Sequence, residues 1–521
     1  MGKPNRFGNL GVQLSASLDI QSKRTDPKTP FRILILGDFS GRKNRALSGP
    51  LTGRTPIMID RDNFDAVLAQ TAPELHLFFV GEDSPPITIT FQELEDFHPD
   101  RLLERLDVFK ALRQALKDLN DPEALDSVAA KLGQWTETEV SVDTIEEENE
   151  AESGAGEEIS NTDNLLDMIL DESQPAPIRK EPAKRNSSWD DFLHRLVQPH
   201  LVADADPRQA ELQASVELAI GDVMRKILHD PAFQELEANW RALYWLVSRL
   251  ETDEFLQIYM LDLSKSELIA DLTSNDDLTL SGTYRILVEQ TVETPGADPW
   301  TVVAGSFFFK PKVGDIQALG RMAKIAFRAG VPFFSAADET LLGCKSLAET
   351  PGPSDWTLGF DADTQAARET LRNLDEASAL GLLLPRFLLR LPYGEETDST
   401  GRFDFEEMEG EPIHDHYLWG NPSFAAAYLL GKTFSRQGWD FSSGPVLEIS
   451  GLPLHIYKAA GESRVKPCAE YLIPERTAHV ILERGFIPLL SYKNQDLVRV
   501  GRFQSISDPP TRLIGRWESS S

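Results

Sequence analysis

Cysteine is almost missing from this chain: Cys344 and Cys468 are the only two in 521 residues, and neither belongs to a CxxC pair. A disulfide framework is excluded, and a reducing compartment is the expected home. Long apolar runs are missing as well. No stretch approaches the ~18 consecutive apolar residues of a membrane helix. The opening residues Met-Gly-Lys-Pro-Asn-Arg-Phe-Gly carry no apolar run after their charges, so no signal peptide is expected. Arg6 stands where a myristoylation signal on Gly2 would need Ser or Thr. Positive charge is scarce, with 52 Lys and Arg against 83 Asp and Glu, a formal net charge of −31. Such acidity argues against non-specific nucleic-acid binding, which needs basic surface to displace counterions, and it favours solubility. The expectation is a cytoplasmic protein with no nucleic-acid partner and no direct membrane insertion.

What is present is ordinary globular material. A hydrophobic content of 41% is typical, and the length allows roughly two to four domains with well-buried cores. Val12, Leu14, Ala16 and Leu18 alternate with polar residues, a period of two that predicts an extended strand with one apolar face. This strand is either an arm reaching for a neighbour or an edge strand of its own domain. Residues 31–36 form a short apolar run bounded by Pro30 and Gly37, as in a strand buried on both faces. Helical spacing follows at 63–70, strands at 75–80 and 87–91, and an amphipathic helix through Leu102, Leu106, Phe109, Leu112 and Leu116.

Composition then changes. Between Lys131 and Arg179 there is no Lys or Arg, while Glu146-Glu-Glu-Asn-Glu150 and Glu157-Glu158 crowd the interval. Like charges repel and few large apolar groups offset chain entropy, so a disordered acidic linker is expected. Within it Leu165, Leu166, Ile169 and Leu170 would share a face of a short helix, the usual form of a docking peptide; the alternative is a helix folded back on its own domain. Beyond residue 188 the pattern predicts helices at 212–228, 231–250 and 315–329, and strands at 255–263, 284–289, 301–309 and 332–335. Alternation of apolar strands with helices indicates an α/β fold, mixed with α+β character. The expected domains are 1–133, a linker over 134–187, and 188–521.

Reactive chemistry is hard to find. Gly37-Asp-Phe-Ser-Gly-Arg42 follows a strand but has neither GxxxxGK[ST] nor GxGxxG spacing. Gly431-Lys432-Thr433 ends like a phosphate-binding loop, yet an apolar helix precedes it, so the match is chance. His414-Asp415-His416, with Glu406, Glu407, Glu409 and Glu411 upstream, lies on a Gly/Pro-punctuated loop and lacks zinc-site spacing. No His near either cysteine suggests an activated thiolate. The reading is a non-enzyme with no catalytic, cofactor-binding or metal-binding residues and no cofactor.

Several longer segments carry a resemblance. Gly11-Val-Gln-Leu-Ser-Ala-Ser-Leu-Asp19, Phe31-Arg-Ile-Leu-Ile-Leu-Gly-Asp-Phe-Ser-Gly-Arg42, Ile57-Met-Ile-Asp-Arg-Asp-Asn-Phe-Asp65 and Phe91-Gln-Glu-Leu-Glu-Asp-Phe-His-Pro-Asp100 occur in order. They resemble the small subunit of the type VI secretion sheath, TssB (ImpB-like). Phe233-Gln-Glu-Leu-Glu-Ala-Asn-Trp-Arg-Ala-Leu243, Leu384-Pro-Arg-Phe-Leu-Leu-Arg-Leu-Pro-Tyr-Gly394, residues 403–407 and Tyr417-Leu-Trp-Gly-Asn421 resemble the large subunit, TssC (ImpC-like).

The resemblance implies a fused, sheath-type structural subunit of α/β sandwich domains. Its implied partners are other sheath subunits, an inner tube of stacked hexamers, a baseplate and an AAA+ disassembly ATPase. Val12, Leu14, Ala16 and Leu18 match the strand that links neighbouring subunits, and Leu165, Leu166, Ile169 and Leu170 match the helix gripped by the ATPase. Two departures stand out: the small-subunit part passes early into the linker, and the large-subunit part ends at Ser521, soon after Gly501-Arg-Phe-Gln-Ser505, where the family continues. They raise an alternative expectation, an accessory that caps, nucleates or regulates the sheath or baseplate.

Overall fold

The computed structural model describes residues 25–78, 86–120, 209–459 and 461–517. Val12, Leu14, Ala16, Leu18, Leu165, Leu166, Ile169 and Leu170 lie outside the described residues. The chain divides into two units. The larger takes in Met1–Phe79, Pro85–Lys110 and Gly221–Ser521, and the smaller takes in Val80–Ser84 and Ala111–Ile220. In the smaller unit the described residues belong to two helices, the end of Asp107–Asn120 and the start of Gln209–Leu228.

The larger unit is built on a nine-stranded sheet. In chain order its strands are β1 (Phe31–Gly37), β2 (Ile57–Met58), β5 (Leu256–Asp262), β6 (Val302–Phe309), β7 (Phe333–Ala337), β8 (Leu380–Leu384), β11 (Glu448–Ile449), β14 (Ile487–Ser491) and β15 (Val498–Val500). Small two-stranded pieces use β3 (Glu74–Leu77) with β4 (Ile87–Thr90), β9 (Phe387–Leu388) with β10 (Trp419–Gly420), and β12 (Ile456–Ala459) with β13 (Glu462–Val465). The order across the large sheet is β11-β15-β14-β8-β7-β6-β1-β5-β2. The inner strands are parallel, and the pairs at both edges are antiparallel. The α/β expectation is met.

β1 is a central strand. It pairs in parallel with β5 over Phe31↔Leu256 to Gly37↔Asp262, and on its other edge with β6 over Ile33↔Val302 to Leu36↔Gly305. The sequence reading placed a domain boundary at 133; here the early strand completes a sheet made by later ones. The physical reason is plain. A strand buried on both faces must also satisfy both hydrogen-bonding edges, and its partners lie more than two hundred residues downstream. β1 alternates between two cores. Leu34 and Leu36 join the cluster containing Ile316, Leu319 and Met322 of the helix Val313–Ala329. Phe31 and Ile33 face the helix Pro422–Gln437: Phe31 lies 4.9 Å from the Phe434 ring. A Cβ on Gly431 would come within 3.3 Å of Ile33 and 2.8 Å of Leu250, so Gly431 permits a close helix–sheet approach.

Most predicted elements appear with shifted ends. One does not. Residues 284–289, read as a strand, form the short helix Gly282–Tyr284 running into a wider turn at Arg285–Glu289. The Ser281 hydroxyl accepts from the Tyr284 amide and starts the turn, and Trp300 donates to the Ile286 carbonyl. A brief apolar run carries no period, so tertiary partners decide its conformation. The amphipathic run after residue 98 is also broken in two, Pro99–Arg105 and Asp107–Asn120.

Candidate functional site

The loop after β1 is where the early and late segments of the larger unit are tied together. Asp262, at the end of β5, accepts from the Phe39 amide at 2.8 Å, the Ser40 amide at 3.1 Å and the Ser40 hydroxyl at 2.7 Å. Asp38 accepts from the amides of Arg42 at 2.7 Å and Lys43 at 2.8 Å. The loop amides are thus engaged by the protein's own carboxylates, the arrangement that elsewhere cradles phosphate. Arg42 forks onto Glu267 with two contacts of 2.7 Å, and Arg54 reaches the same carboxylate at 2.6 Å. Glu267 is buried, which alone would raise its pKa, but these two guanidiniums and the Ser264 amide hold it down at about 2. Burial instead raises the Asp262 carboxyl, against the pull of Ser40 and Phe39.

The helix Pro231–Arg249 meets this loop from the other side. Asn239 donates to the Asp38 carbonyl at 2.9 Å, accepts from Ser306 at 2.6 Å, and Trp240 donates to the Phe39 carbonyl at 2.8 Å. Asn421 caps the helix Pro422–Gln437 through the Ser423 amide, while its amide nitrogen reaches the Phe307 carbonyl at the irregularity in β6.

A second knot lies beside the first and is ionic. Arg390 is buried against two carboxylates that are fully enclosed, Glu237 and Glu407. It contacts Glu237 at 2.9 and 3.3 Å and Glu407 at 2.7 and 3.1 Å. Arg241 adds 2.6 Å to Glu237 and 2.8 Å to the Tyr393 hydroxyl, and the Tyr393 amide donates to Glu407 at 2.7 Å. Desolvation works against every charge here, yet Arg390 and its hydrogen bonds keep Glu407 at about 2, and the two carboxylates raise Arg390 further. A carboxylate held that low is a poor proton acceptor at neutral pH. What the knot does is tie the helix Pro231–Arg249 to a segment 153 residues further along the chain.

The helix Pro99–Arg105 is stitched to the same region. Asp100 accepts from the amides of Gly401 at 2.9 Å and Arg402 at 3.2 Å, and Arg402 pairs with Glu104 at 2.6 Å.

The residues of the His414-Asp415-His416 stretch part company. His414 accepts from Lys466 at Nδ1, 2.9 Å, and faces Glu470 through Nε2 at 3.1 Å; Glu470 also pairs with Arg386. His416 turns away and stacks on His229, ring centroids 3.7 Å apart. Burial and then the neighbouring His229 lower its pKa. Both cysteines are buried, and burial pushes the Cys468 thiol up to about 12. A cavity of about 400 Å³ lies beside the β1 loop between Asn44, His76, Phe78 and the start of the helix Pro231–Arg249, with Lys43 and Glu235 paired at 2.7 Å on its wall.

Sequence reasoning weighed the β1 loop and the histidines for chemistry and passed over Glu237, Arg241, Asp262, Glu267, Arg386, Arg390 and Glu470. One signal was available. Arg386 and Arg390 interrupt an otherwise apolar run from Leu380 to Leu391, and charge inside such a run calls for a buried partner.

Fold and site together define a structural α/β protein, in which the polar signature residues hold segments together. The comparisons agree. Residues 210–507 match the family described as EvpB/VC_A0108, tail sheath N-terminal domain, and residues 7–148 match the type VI secretion system family VipA, VC_A0107 or Hcp2. The sheath protein TssC1 of Pseudomonas aeruginosa is 32% identical over 357 residues, covering 67% of this chain and 71% of that protein. The sheath protein TssB1 of the same organism is 25% identical over 112 residues, covering 21% of this chain and 64% of that protein, less than two thirds of it. The chain belongs to the type VI secretion sheath family and unites its TssB-like and TssC-like parts in one polypeptide.

Proposed function

We propose that this chain is a structural subunit of a type VI secretion sheath that assembles with other sheath subunits around an inner tube, on a baseplate, in the cytoplasm, and that it catalyses no reaction. The observation that carries this reading is the place of β1 between β5 and β6. The TssB-like and TssC-like parts share one sheet, so the fused chain works as one sheath building block. Interlocked polar knots at its seams suit a part that must carry load without dissociating. No helix among the described residues is long and apolar enough to cross a membrane.

In this reading Val12, Leu14, Ala16 and Leu18 pair with a neighbouring subunit's sheet by main-chain hydrogen bonds. Leu165, Leu166, Ile169 and Leu170 form the face taken by a disassembly AAA+ ATPase. Electron microscopy of the protein expressed alone, and then mixed with separately encoded sheath subunits, tests the assembly. Hollow cylinders from the protein alone are the expected result. Dispersed particles that attach only to the ends of other sheaths would replace this reading with the capping, nucleating or regulating accessory.

A further inference from the structure

On a chain of net charge −31, three arginines of the larger unit gather at one place and have no role in the knots described above. The helix Ala362–Arg372 carries Arg368 and Arg372 one turn apart. Arg484 follows the helix Glu475–Glu483, and the chain there is pressed against the strand-like stretch that Arg372 holds: a Cβ on Gly485 would sit 3.1 Å from Ile506, and Arg372 donates to the Ile506 carbonyl at 3.0 Å. Arg484 lies over the Trp356 ring at 5.0 Å, and Arg368 lies over the Phe360 ring at 5.2 Å. Both rings come from one short loop, and Leu358 between them is exposed.

The three arginines differ in what they touch. Arg372 pairs with Asp508 at 3.2 Å, and Arg484 donates to the Leu342 carbonyl. Glu369 is engaged by Gln365 at 2.6 Å. Among the described residues Arg368 has its ring contact but no hydrogen-bond acceptor and no ion-pair partner. Burial, reinforced by Arg372 and Arg484, lowers its pKa to about 10, which marks a crowded, partly dehydrated group of like charges. Arg368, over the Phe360 ring, keeps its N–H groups for an anion, and a carboxylate fits such an edge in a two-point contact.

We propose that Arg368, Arg372 and Arg484, with Trp356, Leu358 and Phe360, form a docking site for an acidic polypeptide segment that presents carboxylates beside an apolar side chain. Charge complementarity selects the occupant. Leu358, exposed on the loop between the two rings, suits a peptide's apolar side chain.

The test is fluorescence anisotropy on the full chain at low salt, with a labelled peptide Glu-Glu-Leu-Asp-Glu-Leu-Glu-Glu as probe. The peptide should bind, more weakly as salt rises, and its Gln/Asn counterpart should not. Arg368→Gln should weaken binding about tenfold, the loss of a charge-assisted two-point contact, while Lys493→Gln, an exposed cation elsewhere, should leave it unchanged. Arg368 makes no hydrogen bond to lose, so R368Q should unfold with the parent; if it does not fold, R368K, which keeps the charge and loses the flat fork, should still weaken binding. Undiminished binding by R368Q, or by R368K where that variant decides, overturns the proposal. So does equal competition by inorganic phosphate or by an oligothymidylate, which would show a general anion site.

Discussion

Trp240 donates its indole N–H to the Phe39 carbonyl at 2.8 Å, closing a link across 201 positions of sequence. Both side chains are fully buried, and their rings meet edge to face at 5.3 Å. The TssB-like signature therefore needs a residue of the TssC-like part to complete its own loop.

Trp240→Phe keeps most of the apolar volume and leaves the Phe39 carbonyl without this donor. The expected loss is about 1–3 kcal/mol, and Trp240→Ala should cost about 3–5 kcal/mol through the added cavity. Urea unfolding followed by circular dichroism measures both. Equal losses in the two variants would show that the hydrogen bond, not the packing, dominates.

Cleavage in the acidic stretch 134–187 should leave two fragments that migrate together. β1 is held on both edges by β5 and β6, so the covalent connection is not what retains it. Limited proteolysis followed by native size exclusion should give one peak and two bands on a denaturing gel. Two separate native peaks would contradict the shared sheet.

The ionic knot predicts an asymmetric mutational response. Removing Arg390 alone leaves buried Glu407 without its guanidinium and Glu237 with Arg241 only, with an expected cost of about 3–5 kcal/mol. Replacing Glu237, Arg241, Arg390 and Glu407 together with well-packed apolar residues should cost much less, because desolvation of the four charges disappears with them. Denaturant midpoints of Arg390→Met and of the quadruple variant decide the matter.

Acid should destabilise the fold through identifiable carboxylates. Glu267, Glu407 and Glu470 have folded pKa values near 2 against an ordinary 4.5. Groups lowered in this way contribute stability above the ordinary value, and it is lost as pH falls from 4.5 toward 2. Glu339 acts in the opposite sense: burial raises it to about 7 from 4.5, so it subtracts stability as pH rises through that interval. Unfolding free energy measured from pH 2 to 8 should therefore rise steeply at the acid end, and Glu339→Gln should flatten any decline between 4.5 and 7. An unaltered profile in that variant would remove Glu339 as its source.

Local pattern was enough to place much of this protein. The apolar run at residues 31–36 between Pro30 and Gly37 is a strand in the fold, Phe31–Gly37. Asp230-Pro231 starts a helix because the Asp230 carboxylate caps the Ala232 and Phe233 amides and proline needs no amide donor there. The signature segments were equally visible, since they are contiguous, and they led to the right family. Where a segment has no period, as at Arg285–Glu289, local pattern pointed to a strand and the fold makes a helical turn.

The partners were invisible. Side-chain and strand pairing link Phe39 to Trp240, Asp262 to Ser40, and Glu237 to Arg390, and residue spacing along a chain says nothing about which of many carboxylates a buried arginine will meet. For the same reason His414 and His416, neighbours in sequence, face different clusters. The amino-acid order by itself determined most strands and helices and the family; only the tertiary structure decided the turn at Arg285–Glu289 and that β1 belongs at the centre of a sheet built by the later segment, because a strand's edges are satisfied by whatever chain can reach them, at any separation in sequence.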